Sequence, residues 1–142
     1  AHERNKKFFL TVNTLPHNSK LKTFVADMEP LIAMKPDALI MADPGLIMTV
    51  REKWPEMPIH LSVQANTTNY WGVKFWQNIG VERIILSREL SMEEIAEIRQ
   101  ECPDIELEVF IHGALCIAYS GRCLLSGYFN HRDPNQGTCT NF

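Results

Sequence analysis

Apolar residues recur along this chain in short runs, separated by segments with the apolar spacing of helices. The runs follow one another about every 20 to 30 residues, which is the pattern of alternating strands and helices. Because runs such as Ala38–Met41 are apolar at successive positions, both faces of the sheet are expected to be covered and the strands to be parallel. We predict five strands, at Phe8–Asn13, Ala38–Asp43, Ile59–Gln64, Arg83–Ser87 and Glu106–His112.

Residues that favour helix starts lie between the predicted strands. Ser91 and Glu94 have the spacing of a capping box, which marks the clearest of these starts. Trp71, Phe75 and Trp76 have helical spacing and are expected to pack in the core. We predict four helices: from Ser19 to about Met34, from Asp43-Pro44 to Lys53, from Thr67 or Thr68 to Ile79, and from Ser91 to Gln100.

The alternation predicts an α/β fold of parallel βα repeats that form part of a TIM-type (βα)8 barrel, with about five strands present. A complete barrel usually takes about 250 residues, whereas this chain has 142. We therefore expect a single partial barrel domain over residues 1–142, with a cysteine-rich segment at 113–142, and interpret the chain as a fragment. A partial barrel exposes strand edges and apolar surface, which favours homo-oligomers.

Composition restricts the function and the location. The net charge of −3 gives no general attraction to nucleic acid, so any such contact has to be local. No apolar stretch approaches the length of a membrane span and the first residues lack the apolar core of a secretory signal, so we expect a soluble, cytoplasmic protein without a membrane partner. Four cysteines in such a protein are expected to be reduced thiols or metal ligands.

Polar residues stand at or just beyond the end of every predicted strand. In parallel α/β folds these positions share one rim, where ligands bind. Helix capping and contact with water explain any single one of them equally well. Amide, carboxylate, guanidinium and imidazole groups that converge on one rim nevertheless predict a polar ligand pocket, built from Asn13, Asp43, Gln64, Asn66, Arg88, Glu89 and His112.

The most specific signal lies between Glu108 and Ser126. It consists of a Glu, a Phe two residues later, Gly-Ala-Leu-Cys, and then Gly-x-Cys-x-Leu-Ser, here Glu108, Phe110, Gly113-Ala114-Leu115-Cys116 and Gly121-Arg122-Cys123-Leu124-Leu125-Ser126. This pattern resembles the signature of the collagenase-like peptidase U32 family. The resemblance extends over essentially the whole chain and is greatest to the branch that forms 5-hydroxyuridine at the wobble position of tRNA.

Chain geometry limits how the cysteines can meet. On a continuous helix Cys116 and Cys123 would lie about 10 Å apart along the axis, so a bend is required, and Gly121 permits one. Cys102 precedes the last strand and is expected at the opposite rim. The three remaining thiols have no close C-x-x-C pair, which fits an iron–sulfur cluster better than zinc.

The resemblance implies that Cys116, Cys123 and Cys139 bind a four-iron (4Fe-4S) cluster. Further cysteines follow in the family, so the cluster is expected to be absent from this fragment and the fragment to be inactive.

Three functions remain open. The leading one is iron–sulfur-dependent tRNA hydroxylation, with His112, Arg88 and Glu89 in catalysis and the other rim residues and Arg122 binding substrates. The resemblance implies prephenate as oxygen donor, a dicarboxylate suited to Arg88 or Arg122. The second is a collagenase-like peptidase using Cys116 and His112, although the sequence has neither HExxH nor GxSxG. The third is a non-catalytic interaction domain.

Overall fold

The five predicted strands form one sheet in sequence order, and every neighbouring pair is parallel. The structure is a computed structural model that describes residues 1–113 and 116–140. Each strand is followed by a helix-length crossover, as parallel pairing requires. The predicted parallel α/β fold is confirmed. The strands are β1 (Phe9–Val12), β2 (Ala38–Met41), β3 (Ile59–Leu61), β4 (Arg83–Ile85) and β5 (Glu106–Glu108).

Four of the five α-helices among the described residues occupy the predicted regions, although two of the expected starts are wrong, and the fifth helix was not predicted. No side-chain cap precedes the first helix, where His17 and not Ser19 holds the cap position. Asn69, and not Thr67 or Thr68, caps the third helix, because its Oδ1 accepts from the Gly72 N–H at 2.9 Å. The helices are α1 (Asn18–Ala33), α2 (Pro44–Lys53), α3 (Tyr70–Asn78), α4 (Met92–Glu101) and α5 (Leu125–Asn130).

The other two predicted helix starts are confirmed by their hydrogen bonds. Asp43 Oδ1 accepts from the Leu46 N–H at 2.9 Å at the start of α2. At α4, Ser91 Oγ accepts from the Glu94 N–H and the Glu94 carboxylate accepts from the Ser91 N–H, which completes the capping box. Three short 3-10 turns complete the described elements, at His2–Arg4, Val63–Ala65 and Pro134–Gln136.

All five strands are shorter than predicted. The third ends at Leu61, because the 3-10 turn Val63–Ala65 follows it, and the last strand is shortened the most. It ends at Glu108 and not at His112, because pairing with β4 stops where the Leu86 N–H donates to the Glu108 carbonyl at 2.9 Å. β5 lies at the edge of the described sheet. Residues 109–111 are apolar and exposed. Their apolar pattern predicted that the strand continues, but they pair with no strand in the described part of the chain.

Helices α1 to α4 pack on one face of the sheet. Apolar residues of the sheet and of each of the four helices form the core at this face. The sheet residues in it include the completely buried Leu39, Met41, Leu61 and Ile84. No helix within residues 1–113 and 116–140 is long and apolar enough to cross a membrane.

The aromatic residues of α3 do not all lie in the core. Trp71 is 71% exposed and Phe75 is 55% exposed, so their predicted core packing is wrong, whereas Trp76 packs against the core. The helix buries Val73 toward the sheet. Because Trp71 and Phe75 are four residues apart and Val73 lies between them, the two rings share the opposite side of the helix.

The other face of the sheet carries a charged row, formed by His60, Arg83, Glu106 and Glu108. His60, Arg83 and Glu106 are in register on β3, β4 and β5. The Arg83 guanidinium pairs with Glu106 at 2.7 Å and with Glu108 at 3.2 Å. It also lies 5.3 Å from the ring of Phe9, which contacts His60 edge to face. This face therefore combines polar groups with a buried imidazole.

We expect the buried imidazole to make the protein less stable in mild acid. Burial, and secondarily the charge of Arg83, lowers the pKa of His60. From an ordinary pKa of about 6.5 downward, the unfolded chain binds a proton that the folded chain resists, so stability falls as the pH falls. In urea unfolding series from pH 7 to pH 5, His60→Gln should lose less stability than the wild type. Parallel pH curves would contradict this expectation.

Candidate functional site

The cysteine segment, residues 116–140, lies across the loops that follow β1, β3 and β4. Arg88 and Glu89 contact it from the loop after β4, and Gln64 approaches it from the turn after β3. Leu15, after β1, is hydrogen bonded to its far end. Because the strands are parallel, these loops share one edge of the sheet. The segment therefore forms a cover over the carboxyl ends of the strands.

The guanidinium of Arg88 binds the first part of the cysteine segment. Its Nε donates to the Cys116 carbonyl at 2.7 Å and its Nη1 donates to Ser120 Oγ at 2.9 Å. Its Nη2 donates to the Ala118 carbonyl. The neighbouring Glu89 carboxylate accepts from the Ser120 N–H at 3.1 Å. Two adjacent residues of the β4 loop thus hold the stretch from Cys116 to Ser120.

Gly121 packs directly against the turn that follows β3. Its φ is +70°, and a Cβ at this position would overlap the Gln64 carbonyl oxygen. Only glycine allows both this backbone conformation and this approach without strain. The predicted bend at Gly121 is therefore also a packing contact.

The far end of the segment is bound to the loop after β1. The Leu15 N–H donates to the Asn135 carbonyl at 2.9 Å, and Gln136 Nε2 donates to the Leu15 carbonyl at 2.6 Å. Asn135 Nδ2 also donates to the Cys123 carbonyl at 3.3 Å. Sequence reasoning missed Asn135 and Gln136 as anchors. The only signal was the turn pattern from Asp133-Pro134 to Gly137, which predicted a returning chain.

The three cysteines of the segment border one cavity of about 160 Å³. Cys116 and Cys123 are half-buried and Cys139 is exposed. Gln64 and Arg88 complete part of the wall. Over residues 1–113 and 116–140, no three His, Cys, Asp or Glu side chains lie close enough together to hold a metal ion.

Cys102 stands apart from this cavity. It is buried in the core where α4 ends, and its Sγ lies 3.8 Å from the Tyr70 carbonyl. Burial raises the pKa of the Cys102 thiol, so it favours the neutral form.

The cysteines around the cavity are the type of donor that an iron–sulfur cluster takes, although they do not lie close enough together to hold a single metal ion, and cluster binding stays a prediction. Such clusters are held by cysteine thiolates that come from separate parts of the chain, and here three thiols border one cavity. Arg88 and Gly121 fix the backbone on either side of Ser120, between the first two of these thiols.

A second cavity, of about 300 Å³, adjoins the first. Cys116 and Arg88 border both cavities. His112 lines the second together with the exposed apolar residues Phe110 and Ile111. The exposed imidazole of His112 and the Cys116 thiol therefore share a cavity that is large enough for a small ligand.

The other predicted site residues have local partners. Asn13 Nδ2 donates to Ser62 Oγ at 3.1 Å, and Asn66 Oδ1 accepts from Ser87 Oγ at 2.8 Å. Asp43 caps α2. Gln64 Oε1 is buried and has no hydrogen-bond partner among the described residues, and the Arg122 side chain is exposed. Their roles in binding stay predictions.

Comparisons with known proteins agree with the signature of the cysteine segment. The chain is 71% identical over 141 residues to the tRNA hydroxylation protein P of Haemophilus influenzae and 70% identical over 141 residues to that of Escherichia coli. The matches cover 99% of this chain and 31% of each relative, so the chain spans about a third of their length.

A solved structure, that of the U32 peptidase Mk0906, is similar in fold. The TM-score is 0.65 at 16% sequence identity, and the match covers 77% of this chain and 47% of the other. The model of peptidase family U32 matches residues 1–142, which is the whole chain. The chain therefore belongs to peptidase family U32.

Proposed function

We propose that this chain is part of an iron–sulfur-dependent RNA hydroxylase that converts the wobble uridine of tRNA to 5-hydroxyuridine. The observation that carries the proposal is the shared cavity of Cys116, Cys123 and Cys139 beside the carboxyl ends of the strands. The identity of about 70% to two tRNA hydroxylation proteins supports the choice of RNA as substrate. Because tRNA is a cytoplasmic molecule, we expect the protein to work there.

Cys116, Cys123 and Cys139 would hold three irons of a four-iron cluster, and a fourth ligand would have to come from another residue of the protein. Cys102 is not suited to that task, because it is buried beside Tyr70 and its raised pKa disfavours the thiolate. When bound, such a cluster supplies one-electron transfer at a potential that neighbouring hydrogen bonds and charges adjust.

The reaction needs a second substrate. Replacing the C5–H bond of uridine by C5–OH oxidises the base by two electrons, so a co-substrate has to give up an oxygen atom and be reduced by two electrons. A dicarboxylate such as prephenate fits an exposed guanidinium, and Arg122 offers one. His112 borders the same cavity as Cys116 and is the candidate group to accept the proton from C5.

The RNA contact would lie on the cysteine segment. The whole chain has a net charge of −3, but this segment has Arg122 and Arg132 against the single carboxylate of Asp133. The rings of Tyr119 and Tyr128 are exposed there. Basic groups beside exposed aromatic rings bind the phosphates and the unstacked bases of single-stranded RNA loops. A wobble base in the anticodon loop suits this surface.

A collagenase-like peptidase is the second candidate. The observation in its favour is that His112 and Cys116 border one cavity of about 300 Å³, as a nucleophile and its base would. In that case Cys123 and Cys139 would have no part in the chemistry, and peptide and not RNA would be the substrate.

The proposal is tested with single alanine variants of the full-length protein, which are purified anaerobically and analysed for iron and sulfide. Each variant is also expressed in cells that lack the gene, and 5-hydroxyuridine in the tRNA of these cells is measured by mass spectrometry. We expect alanine at Cys116, Cys123 or Cys139 to remove most of the iron and most of the 5-hydroxyuridine. Cys102→Ala is the matched control and should leave both unchanged.

Two results would overturn the proposal. One is iron content and 5-hydroxyuridine that stay at the wild-type level in all three variants. The other is cleavage of denatured collagen that depends on Cys116 and His112 but survives alanine at Cys123 and Cys139, which would establish the peptidase instead.

A further inference from the structure

We propose that Arg88, assisted by Glu89, is a positioning residue that fixes Cys116 at the edge of the sheet. This inference rests on the proposed function, because it assigns Arg88 to the placement of a cluster ligand. It also gives Arg88 a different task from binding an acidic co-substrate.

The hydrogen bonds of Arg88 span the stretch that begins with Cys116. Three guanidinium nitrogens donate to three alternate residues, namely the Cys116 carbonyl, the Ala118 carbonyl and the Ser120 hydroxyl. A planar, permanently charged fork with fixed donor directions restrains three points of a backbone at once. The hydrogen bond from Arg88 to the Cys116 carbonyl therefore fixes the position of Cys116 relative to the loop after β4.

Glu89 completes the restraint from the next position of the chain. Its carboxylate accepts the Ser120 N–H at 3.1 Å, while Arg88 donates to the Ser120 hydroxyl. Ser120 is 4% exposed, so water does not replace these partners readily. The two charged residues thus bind one buried serine through both its backbone and its side chain.

The same contacts leave Arg88 poorly suited to a substrate carboxylate. Its Nε, Nη1 and Nη2 all have acceptors within the cysteine segment, and a carboxylate would have to displace them. Arg122, in contrast, is exposed. The division of tasks is that Arg88 positions the segment and Arg122 is left for the co-substrate.

Arg99 provides a matched control for Arg88. Its Nη1 donates to the carbonyls of Cys102, Pro103 and Ile105, so it also binds a loop that contains a cysteine. That loop precedes β5 and does not border either cavity of the cysteine segment. Loss of Arg99 should therefore cost a similar set of hydrogen bonds without affecting Cys116.

The test uses full-length protein from which metal has been removed by chelation under anaerobic, reducing conditions. Alkylation of each cysteine by iodoacetamide is followed over time by peptide mass spectrometry. In Arg88→Met, alkylation of Cys116 should accelerate by about tenfold, because the charged hydrogen bonds that restrain the segment are lost. Glu89→Gln should accelerate it less, since a neutral amide oxygen still accepts from Ser120. Arg99→Met should leave the Cys116 rate unchanged.

Selectivity separates positioning from general support of the fold. The expected result is that Arg88→Met accelerates the alkylation of Cys116 but not that of Cys102, and leaves the midpoint of urea unfolding unchanged. An unchanged Cys116 rate in Arg88→Met would overturn the inference, and so would equal acceleration of Cys102. If Arg88→Met does not fold, Glu89→Gln decides by the same criteria.

The alkylation result does not depend on iron, so the two proposals can fail separately. If alkylation of Cys116 is faster in Arg88→Met but the wild-type protein binds no iron, the positioning role holds and the proposed function fails. In the iron-loaded protein, Arg88→Met should lower the iron affinity by about tenfold, as loss of groups that orient metal ligands does. Arg88→Lys keeps the charge but not the fork, and should restore only part of that affinity.

Discussion

Replacing Gly121 with alanine is expected to push the cysteine segment away from the turn that follows β3. The new methyl group would overlap the Gln64 carbonyl oxygen, which belongs to the backbone and cannot move aside as a flexible side chain could. Alanine would also have to adopt a φ of +70°, which costs about 1 to 3 kcal/mol for a residue other than glycine. Because the neighbouring Cys123 would move with the segment, most of the iron and of the 5-hydroxyuridine should be lost.

Gly137→Ala is the matched control for this substitution. Gly137 has a φ of +86° in the same segment, but a Cβ there would lie 3.5 Å from Thr14 Cγ2, which is ordinary contact. Gly137→Ala therefore introduces the backbone strain of a positive φ without a steric overlap. Iron analysis and mass spectrometry of tRNA should separate the two variants clearly. Equal losses of iron in both would mean that the approach of Gly121 to Gln64 is unimportant.

The order of the strands could be predicted from the sequence because each strand lies within or directly beside a short apolar run. The crossovers between the runs are long enough for helices, so parallel pairing of neighbours was the simplest arrangement. Local side-chain chemistry likewise fixed two helix starts, at Asp43 and at Ser91. The rest of the fold depends on contacts between distant parts of the chain, and there prediction was less successful.

Exposure of Trp71 and Phe75 is one such case. Their spacing correctly indicated a shared helix face, but periodicity does not reveal which face meets the sheet, and Val73 meets it instead. Residues 109–111 are another case, since their apolar pattern predicted a longer last strand, but they pair with no strand among the described residues. A strand needs a neighbour as well as a suitable sequence.

The candidate site was predictable in its residue types but not in its hydrogen bonds. Polar strand ends and three cysteines were visible in the sequence, and the structure brings the cysteines to one cavity. The acceptors of Arg88, however, include two backbone carbonyls, at Cys116 and Ala118. Every residue has a carbonyl, so no sequence pattern marks these two as partners.

Closure of the sheet into a barrel is still a prediction, and β2 offers a direct test. Leu39 and Ile40 are neighbours on this strand and point to opposite faces of the sheet. Leu39 is completely buried against the helices, whereas Ile40 lies beside His60 on the face of the charged row and is half-buried. In a closed barrel both faces are covered, so both side chains would be fully buried.

Leu39→Ala is expected to lower the free energy of unfolding by about 2 to 5 kcal/mol, because it removes a buried side chain and leaves a cavity. If the full-length protein is a closed barrel, Ile40→Ala should cost a similar amount, since further strands would then enclose the charged face. Urea unfolding measures both costs, and the dependence of the free energy on urea shows whether unfolding remains a single step. A cost for Ile40→Ala well below that of Leu39→Ala would mean that water reaches this face and that the strands do not close into a barrel.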